Sequence, residues 1–129
     1  MNGNYLVDTN IVIALFANEP GIENCFNQSK RIHLPVVVLG ELIYGAKYSR
    51  KPEENFCRIQ EFRNECECQW IDQETATQYA EIKLQLRQKG RPIPDNDIWI
   101  AAIAQQHQLI LVTRDSHFNE IEDLMIERW

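Results

Sequence analysis

Residues 91–118 read RPIPDNDIWIAAIAQQHQLILVTRDSHF, and this stretch decides the fold. Two prolines block a helix at its beginning. Asp95 or Asn96 then suits the cap of a helix that begins near residue 96 or 97, and apolar residues recur at helical spacing as far as residue 104. Residues 109–112 form a short apolar run, which is typical of a buried strand. The stretch therefore predicts a loop, a helix and a parallel strand in succession.

The geometry of this helix–strand unit is expected to bring two acids together. The helix carries the chain from one edge of the sheet to the other, and the strand carries it back. Asp97 at the start of the helix and Asp115 just after the strand are therefore both expected where the strands have their carboxyl ends. Open α/β sheets build their binding sites at that edge.

The rest of the chain alternates in the same way between short apolar runs and helical segments. This alternation predicts an α/β fold with a central, mainly parallel sheet of about five strands and helices on both faces. The chain is expected to form a single domain, 1–129. We predict strands at residues 5–7, 30–34, 69–71, 109–112 and 125–129, and helices at 11–17, 22–28, 36–48, 52–67, 73–89 and 97–104.

The composition is that of an ordinary soluble protein, with 44% hydrophobic residues and a net charge of −6. No apolar run approaches the roughly 20 residues that span a bilayer, and the first residues lack the pattern of a secretion signal. We therefore expect a cytoplasmic protein without a membrane partner. The four cysteines match no usual zinc-binding spacing and are expected to be reduced structural thiols. Structural rather than catalytic roles are expected for His33, His107 and His117.

Four acids occupy special positions relative to the predicted sheet. The residues concerned are Asp8 after the first strand, Glu41 in the helix after the second, Asp97 and Asp115. Each alone could be a helix cap, a turn residue or a surface charge, but four acids at one edge would raise one another's pKa values. A divalent cation removes this conflict, and all-oxygen ligands without clustered His or Cys favour Mg²⁺, or Mn²⁺, over zinc. Such an ion can activate water for attack on a phosphodiester.

Four segments of the sequence together resemble one known family. They are LVDTN at 6–10, GELIYGA at 40–46, PIPDNDIWIAAIA at 92–104 and LVTRDSHF at 111–118. In this order and at this spacing they resemble the PIN-domain nucleases, and most of all the VapC toxins of bacterial toxin–antitoxin pairs. The resemblance covers nearly the whole chain and implies a PIN-like α/β/α sandwich.

The resemblance also implies roles for individual residues. The catalytic, metal-binding acids of the family correspond by position to Asp8, Glu41, Asp97 and Asp115. The polar residues that brace the site in the family correspond to Asn10 and Thr113. Asp95 is an additional acid, which we interpret as a helix cap or an outer-sphere contact.

An activity and partners follow from the same resemblance. It implies Mg²⁺-dependent endonucleolytic cleavage of RNA, often tRNA or ribosomal RNA, which a cognate VapB-like antitoxin relieves. Members of the family commonly dimerise, so a homodimer is also expected.

Basic residues lie near the predicted site, although the net charge argues against broad polyanion binding. The residues that could hold an RNA backbone beside the metal are Lys83, Arg87, Lys89, Arg91 and Arg114. A solvated helix face explains Lys83 and Arg87 equally well. Strand alternation is expected to point Arg114 to the other side of the chain from Asp115.

A second basic cluster lies beside two tyrosines. Lys47, Arg50 and Lys51 follow or flank Tyr44 and Tyr48. The apolar and aromatic flank of this cluster, together with the next helix, equally fits an antitoxin groove. Trp99 is expected to be a core or dimer contact rather than a platform for base stacking.

Two alternatives to a toxin are compatible with these residues. A PIN nuclease for RNA maturation or for DNA flaps would carry the same acids, but the compact length favours a toxin. The other alternative is a phosphoacceptor receiver or a noncatalytic metal-binding interaction module. A receiver would have paired acids after the first strand, whereas Thr9 and Asn10 follow Asp8 here.

Overall fold

Five short parallel strands form the centre of the computed structural model, which describes residues 3–129. The strands are β1 (Asn4–Val7), β2 (Arg31–Pro35), β3 (Glu67–Gln69), β4 (Ile110–Val112) and β5 (Ile126–Glu127). They lie in the order β3-β2-β1-β4-β5, and each neighbouring pair is parallel. The predicted parallel sheet is therefore confirmed, with β1 at its centre.

Six α-helices connect the strands. They are α1 (Thr9–Phe16), α2 (Ile22–Gln28), α3 (Val36–Lys47), α4 (Pro52–Asn64), α5 (Gln73–Lys89) and α6 (Asp95–His107), and a 3₁₀ helix (Ser116–Glu120) follows β4. The chain winds outward from β1 to β3 and then crosses back to β4 on the other side of β1. Right-handed crossovers in these two directions put α1 to α4 on one face of the sheet and α5 and α6 on the other. The result is a three-layered α/β/α sandwich.

The core is centred on β1, β4 and α6. Leu6 and Val7 of β1 and Leu111 and Val112 of β4 are fully buried, as expected for strands that are covered on both faces. Helix α6 is buried from Ile98 to Ala104 with the exception of the half-buried Trp99. Its small alanines let it lie close to the sheet and to α5, which packs along it.

Several element boundaries differ from those predicted. Helix α6 begins at Asp95, and Pro94 occupies the N-cap without a side-chain hydrogen bond, so neither Asp95 nor Asn96 is the cap. Helix α4 ends at Asn64, and β3 lies two residues before its predicted position at 69–71. The pairing of β3 with β2 ends where Gln69 meets Pro35, the last residue of β2 and the N-cap of α3.

Other features agree with the sequence. Gly90 ends α5 in the left-handed conformation, with φ of +71°. All four cysteines are free thiols, and burial raises the pKa of Cys66 to about 12. None of the helices within residues 3–129 combines the length and apolar character that a bilayer crossing requires.

Replacement of a leucine on β1 tests the importance of the central strand. Leu6 is fully buried between the two helical layers, whereas Leu84 on α5 is 55% exposed. We expect Leu6→Ala to lower the free energy of unfolding by about 2–5 kcal/mol, and Leu84→Ala to change it by less than about 0.5 kcal/mol. Urea unfolding measures both values. Equal effects of the two substitutions would contradict the central position of β1.

Candidate metal centre

Asp8 lies where β1 meets α1 and is held there by three hydrogen bonds. It caps α1, since its Oδ1 accepts a hydrogen bond from the backbone N–H of Thr9 at 2.8 Å. Its Oδ2 accepts from Thr113 Oγ1 at 2.7 Å and from Asn10 Nδ2 at 3.2 Å. The carboxylate is buried, with 5% of the residue exposed. The hydrogen bonds from Asn10 and Thr113 therefore fix the orientation of this carboxylate.

The strand order explains why Thr113 reaches Asp8 across 105 positions of the sequence. β1 and β4 pair in parallel, so that Val7 lies opposite Val112 and the next residues of both strands emerge together. The backbone N–H of Asp8 donates to the carbonyl of Val112 at 3.0 Å and extends the ladder. The chain turns in opposite directions after β1 and β4, and such a switch point is where open α/β sheets bind ligands.

Asp97 and Asp115 reach the same edge from α6 and from the end of β4. Asp97 is the third residue of α6 and is buried, with 7% of the residue exposed. Asp115 caps the 3₁₀ helix by accepting a hydrogen bond from the backbone N–H of His117 at 2.9 Å. The imidazole of His117 links the two acids, since its Nδ1 lies 3.1 Å from Asp97 Oδ2 and 3.2 Å from Asp115 Oδ1.

Glu41 approaches the cluster from α3 on the other face of the sheet. Its Oε2 accepts a hydrogen bond from Thr9 Oγ1 at 2.9 Å, and its Oε1 accepts one from Asn96 Nδ2 at 3.2 Å. Thr9 follows Asp8 and Asn96 precedes Asp97, so Glu41 is tied to the neighbours of two other acids. The structure therefore brings all four predicted acids to one edge of the sheet.

The acids influence one another electrostatically. Burial raises the pKa of Asp8, and the negative charges of Glu41 and Asp115 raise it further, against hydrogen bonds from Thr113 and Thr9 that lower it. Burial also raises the pKa of Asp97, with contributions from Asp115 and Asp8, while the hydrogen bond to His117 lowers it. The protein itself thus offsets the negative charges of Asp8 and Asp97, the two most buried of these carboxylates, only in part.

His117, for which the sequence predicted a structural role, lies at the acidic cluster. Its ring is half-exposed and lies between two acids. The hydrogen bond to Asp97, together with the negative charge of Asp115, raises the pKa of the imidazole. The imidazole is therefore part of the cluster, a position that its isolated place in the sequence did not indicate. Its position two residues after Asp115 in a cap-forming turn was the only signal in the sequence.

The donor set fits a divalent cation. Asp97, Asp115 and His117 each offer a ligand atom, and these three atoms lie within 4.8 Å of one another. Carboxylate oxygens and imidazole nitrogen are ordinary ligands of divalent ions. A cation here would also offset the charges that raise the pKa of Asp8 and Asp97. The ligand atoms and the crowded negative charges together explain why this edge of the sheet would bind a divalent cation.

Asp95 lies outside the cluster although it is only two residues from Asp97. Its Oδ1 accepts hydrogen bonds from Tyr79 and from Lys83 Nζ, each at 3.0 Å. Helical geometry explains the difference, because residues two apart point to different sides of a helix. Asp95 is thus bound to α5 and is not the helix cap that we expected. No contact of its side chain with the other acids supports the predicted outer-sphere role.

Three of the predicted RNA-binding cations are engaged in ion pairs. Lys83 pairs with Asp95 at 3.0 Å, Lys89 with Glu120 at 3.4 Å and Arg114 with Glu19 at 2.7 Å. Arg114 points away from Asp115, as strand alternation predicted, and its Nε also donates to the carbonyl of Trp129. The expectation that Arg114 holds RNA beside the metal therefore conflicts with its contacts.

Two basic residues remain available on this side of the fold. Arg87 and Arg91 are exposed, and neither forms an ion pair among residues 3–129. Trp99 is half-buried and stacks on Tyr79 with 3.9 Å between ring centroids. The predicted packing role of Trp99 is thus supported within the chain, because an intramolecular stack occupies one face of its ring.

Comparison with known proteins agrees with this geometry. The family model of the PIN domain matches residues 5–124. The tRNA(fMet)-specific endonuclease VapC of Shigella flexneri is 34% identical over 128 residues, which cover 97% of both chains. Ribonuclease VapC2 of Haemophilus influenzae has the same identity and coverage.

Solved structures with the same fold come from toxin–antitoxin systems. The DNA-bound VapBC from Salmonella typhimurium matches with a TM-score of 0.91 and 32% identity, covering 98% of both chains. VapBC2 from Rickettsia felis, bound to a promoter DNA fragment, matches with a TM-score of 0.89 and 30% identity at the same coverage. The α/β/α sandwich is thus the PIN-like one that the sequence resemblance implied.

The crowded carboxylates predict that the metal-free protein loses stability as the pH rises. Because the folded-state pKa values of Asp8 and Asp97 are raised, their contribution is complete below the ordinary aspartate pKa of about 4 and is lost as the pH rises through the raised values. The raised pKa of His117 acts in the same direction above about 6.5. Mg²⁺ should therefore raise the melting temperature more at pH 8 than at pH 5, where protons compete with it.

The size of this effect follows from mass action. Mg²⁺ at 100 times its Kd would stabilise the fold by about 2.7 kcal/mol. Thermal unfolding with and without Mg²⁺ measures it at both pH values. Asp97→Asn should abolish most of the shift, and Asp95→Asn, on the same helix but outside the cluster, should preserve it. A Mg²⁺ shift that is equal at the two pH values would refute the crowded site.

Proposed function

The chain belongs to the PIN-domain family, and we propose that it is a Mg²⁺-dependent endoribonuclease and the toxin of a toxin–antitoxin pair. The observation that carries this proposal is the convergence of Asp8, Asp97 and Asp115 at the switch point of the sheet, with Glu41 tied to their neighbours. Relatives that match over almost their full length are named ribonucleases and a tRNA(fMet)-specific endonuclease. We accordingly propose RNA, with tRNA as the first class to test, as the substrate.

The proposed chemistry is hydrolysis of a phosphodiester by water, without a covalent protein intermediate. A divalent cation, when bound, activates water and stabilises the charge that develops on the phosphate. That cation would be held by Asp8, Asp97 and Asp115. Glu41 would add a fourth negative charge at the same edge of the sheet. Mg²⁺ is the ion that the carboxylate-rich donor set favours, and Mn²⁺ is a possible substitute.

The protein itself orients the carboxylates that would hold the cation. The Asp8 carboxylate cannot rotate freely, because both of its oxygens accept hydrogen bonds. Thr113 in turn accepts a hydrogen bond from the backbone N–H of Asp115 at 3.0 Å, so one hydroxyl fixes two of the acids relative to each other. Such preorganisation avoids the cost of ordering the ligands when cation and substrate bind. Arg87 and Arg91 are the proposed contacts to the RNA backbone.

We also propose that an antitoxin segment occupies a cleft between α1, α3 and α4. The cleft has a volume of ≈ 310 Å³ and is lined by Ile13, Phe16, Leu42, Ala46, Arg58 and Ile59, with Thr9 and Glu41 at one end. Ile13 is 55% exposed, so an apolar side chain of the cleft lining is open to a bound partner. A chain bound in this cleft would end beside Glu41 and could block access to the metal centre. The solved VapBC relatives support a partner of this kind.

A homodimer is implied by the family resemblance and stays a prediction. The exposed aromatic residues Tyr44 and Tyr48, whose rings stack 6.3 Å apart, are compatible with the antitoxin or with a second copy of the chain. Light scattering of the purified protein would measure its oligomeric state.

Cleavage of RNA by the purified protein tests the proposed activity. We expect a tRNA pool to be cleaved in Mg²⁺, and EDTA to abolish the cleavage. Asp8→Asn and Asp97→Asn should each lower the rate by about 100-fold or more, because each removes a charge from the proposed cation site. Gel analysis of the products measures these rates.

The matched control is Asp95→Asn, which alters an acid two residues away that pairs with Lys83. It should cleave at nearly the rate of the unmodified protein. Unchanged cleavage in both Asp8→Asn and Asp97→Asn would refute the proposed mechanism.

Substitutions in the cleft test the proposed antitoxin site. Ile13→Lys should leave RNA cleavage intact, because the side chain is largely exposed, and should weaken inhibition by the antitoxin at least about fivefold. Leu84→Lys is the matched control, since Leu84 is equally exposed at 55% but lies on α5. Inhibition is measured by titrating the antitoxin, chosen as the protein that restores growth on co-expression. Equal inhibition of both variants would place the antitoxin elsewhere.

A further inference from the structure

The Nδ1 atom of His117 has two acidic oxygens at nearly the same distance. It lies 3.1 Å from Asp97 Oδ2 and 3.2 Å from Asp115 Oδ1. A single N–H group can point well at only one acceptor, because hydrogen bonds weaken steeply as the donor angle closes. One hydrogen bond from Nδ1 therefore accounts for only one of these two short contacts.

The same distances fit a shared cation. Two ligands at right angles on an octahedral ion, each bound at about 2.1 Å, are about 3.0 Å apart. Both separations from Nδ1, 3.1 Å and 3.2 Å, are close to this value. A small movement of the half-exposed His117 ring would complete such a geometry, and its exposed side leaves room for water ligands.

We propose that His117 supplies its Nδ1 as a nitrogen ligand to the divalent cation of Asp97 and Asp115, and that this nitrogen raises the affinity of the site for Mn²⁺ relative to Mg²⁺. The inference rests on the proposed function, since it deepens the description of the same cation site. Coordination uses the lone pair on Nδ1 and leaves the imidazole proton on Nε2. Imidazole nitrogen suits transition-metal ions, whereas Mg²⁺ prefers oxygen ligands and water.

The local structure holds the imidazole in place. Asp115 accepts a hydrogen bond from the backbone N–H of His117, which fixes the start of the 3₁₀ helix. The next residue, Phe118, is fully buried and anchors that helix in the core. The ligand nitrogen is thus carried by a short rigid turn rather than by a free loop, as a selective metal site requires.

Pulsed EPR of the Mn²⁺-loaded protein tests the proposed bond. Mn²⁺ is the probe, and a ¹⁴N coupling of directly bound nitrogen should appear in the unmodified protein. It should be absent in His117→Gln and present in His107→Gln, the matched control, because His107 is exposed in the last turn of α6. His117 is half-exposed, so the variant should fold, and its thermal unfolding checks this.

Calorimetric titration provides the second measurement. Loss of an outer-shell partner of a metal ligand already costs about 10-fold in affinity, so His117→Gln should weaken Mn²⁺ binding at least that much while Mg²⁺ binding changes less. Missing ¹⁴N coupling, or an unchanged ratio of the Mn²⁺ and Mg²⁺ affinities, would overturn the inference. So would tighter metal binding in His117→Gln, because His117 would then compete with the cation.

The outcomes separate this inference from the proposed function. RNA cleavage that depends on Asp8 and Asp97 but shows no ¹⁴N coupling would overturn only the role of His117. Complete absence of Mn²⁺ and Mg²⁺ binding would overturn both.

Discussion

The hydrogen bond from Thr113 Oγ1 to Asp8 Oδ2, at 2.7 Å, is the interaction on which the site depends. It joins the ends of β1 and β4, the two strands between which the chain changes its direction of winding. Thr113 Oγ1 also accepts a hydrogen bond from the backbone N–H of Asp115, and this contact positions the turn that carries His117. Parallel pairing of two fully buried strands thus determines where the acids meet.

The clustering of these acids lowers the stability of the metal-free fold, and this loss of stability indicates that the cluster serves a function. Burial raises the pKa of Asp8 and of Asp97, and neighbouring acids raise both further. A fold selected only for stability would avoid such a cluster, since buried charges without full compensation are destabilising. The rigid strands and α6 hold the carboxylates in place despite their repulsion, and a bound cation would offset it.

Sequence alone was sufficient for the parallel sheet and for the convergence of Asp8, Asp97 and Asp115, because apolar runs and helical spacing determine which ends of the elements meet. It was not sufficient for contacts between side chains far apart in sequence. Nothing local indicated that Glu19 would engage Arg114 across 95 positions. The position of His117 at the cluster depends on the rotation of one turn of 3₁₀ helix, which composition and spacing do not determine.

Crystals grown with Mn²⁺ test the central claim most directly, because anomalous scattering locates the ion independently of the protein atoms. We expect an anomalous peak at the carboxyl ends of β1 and β4, within bonding distance of Asp97 and Asp115 and beside Asp8. Full occupancy of Mn²⁺ elsewhere, with these carboxylates free of metal, would contradict it.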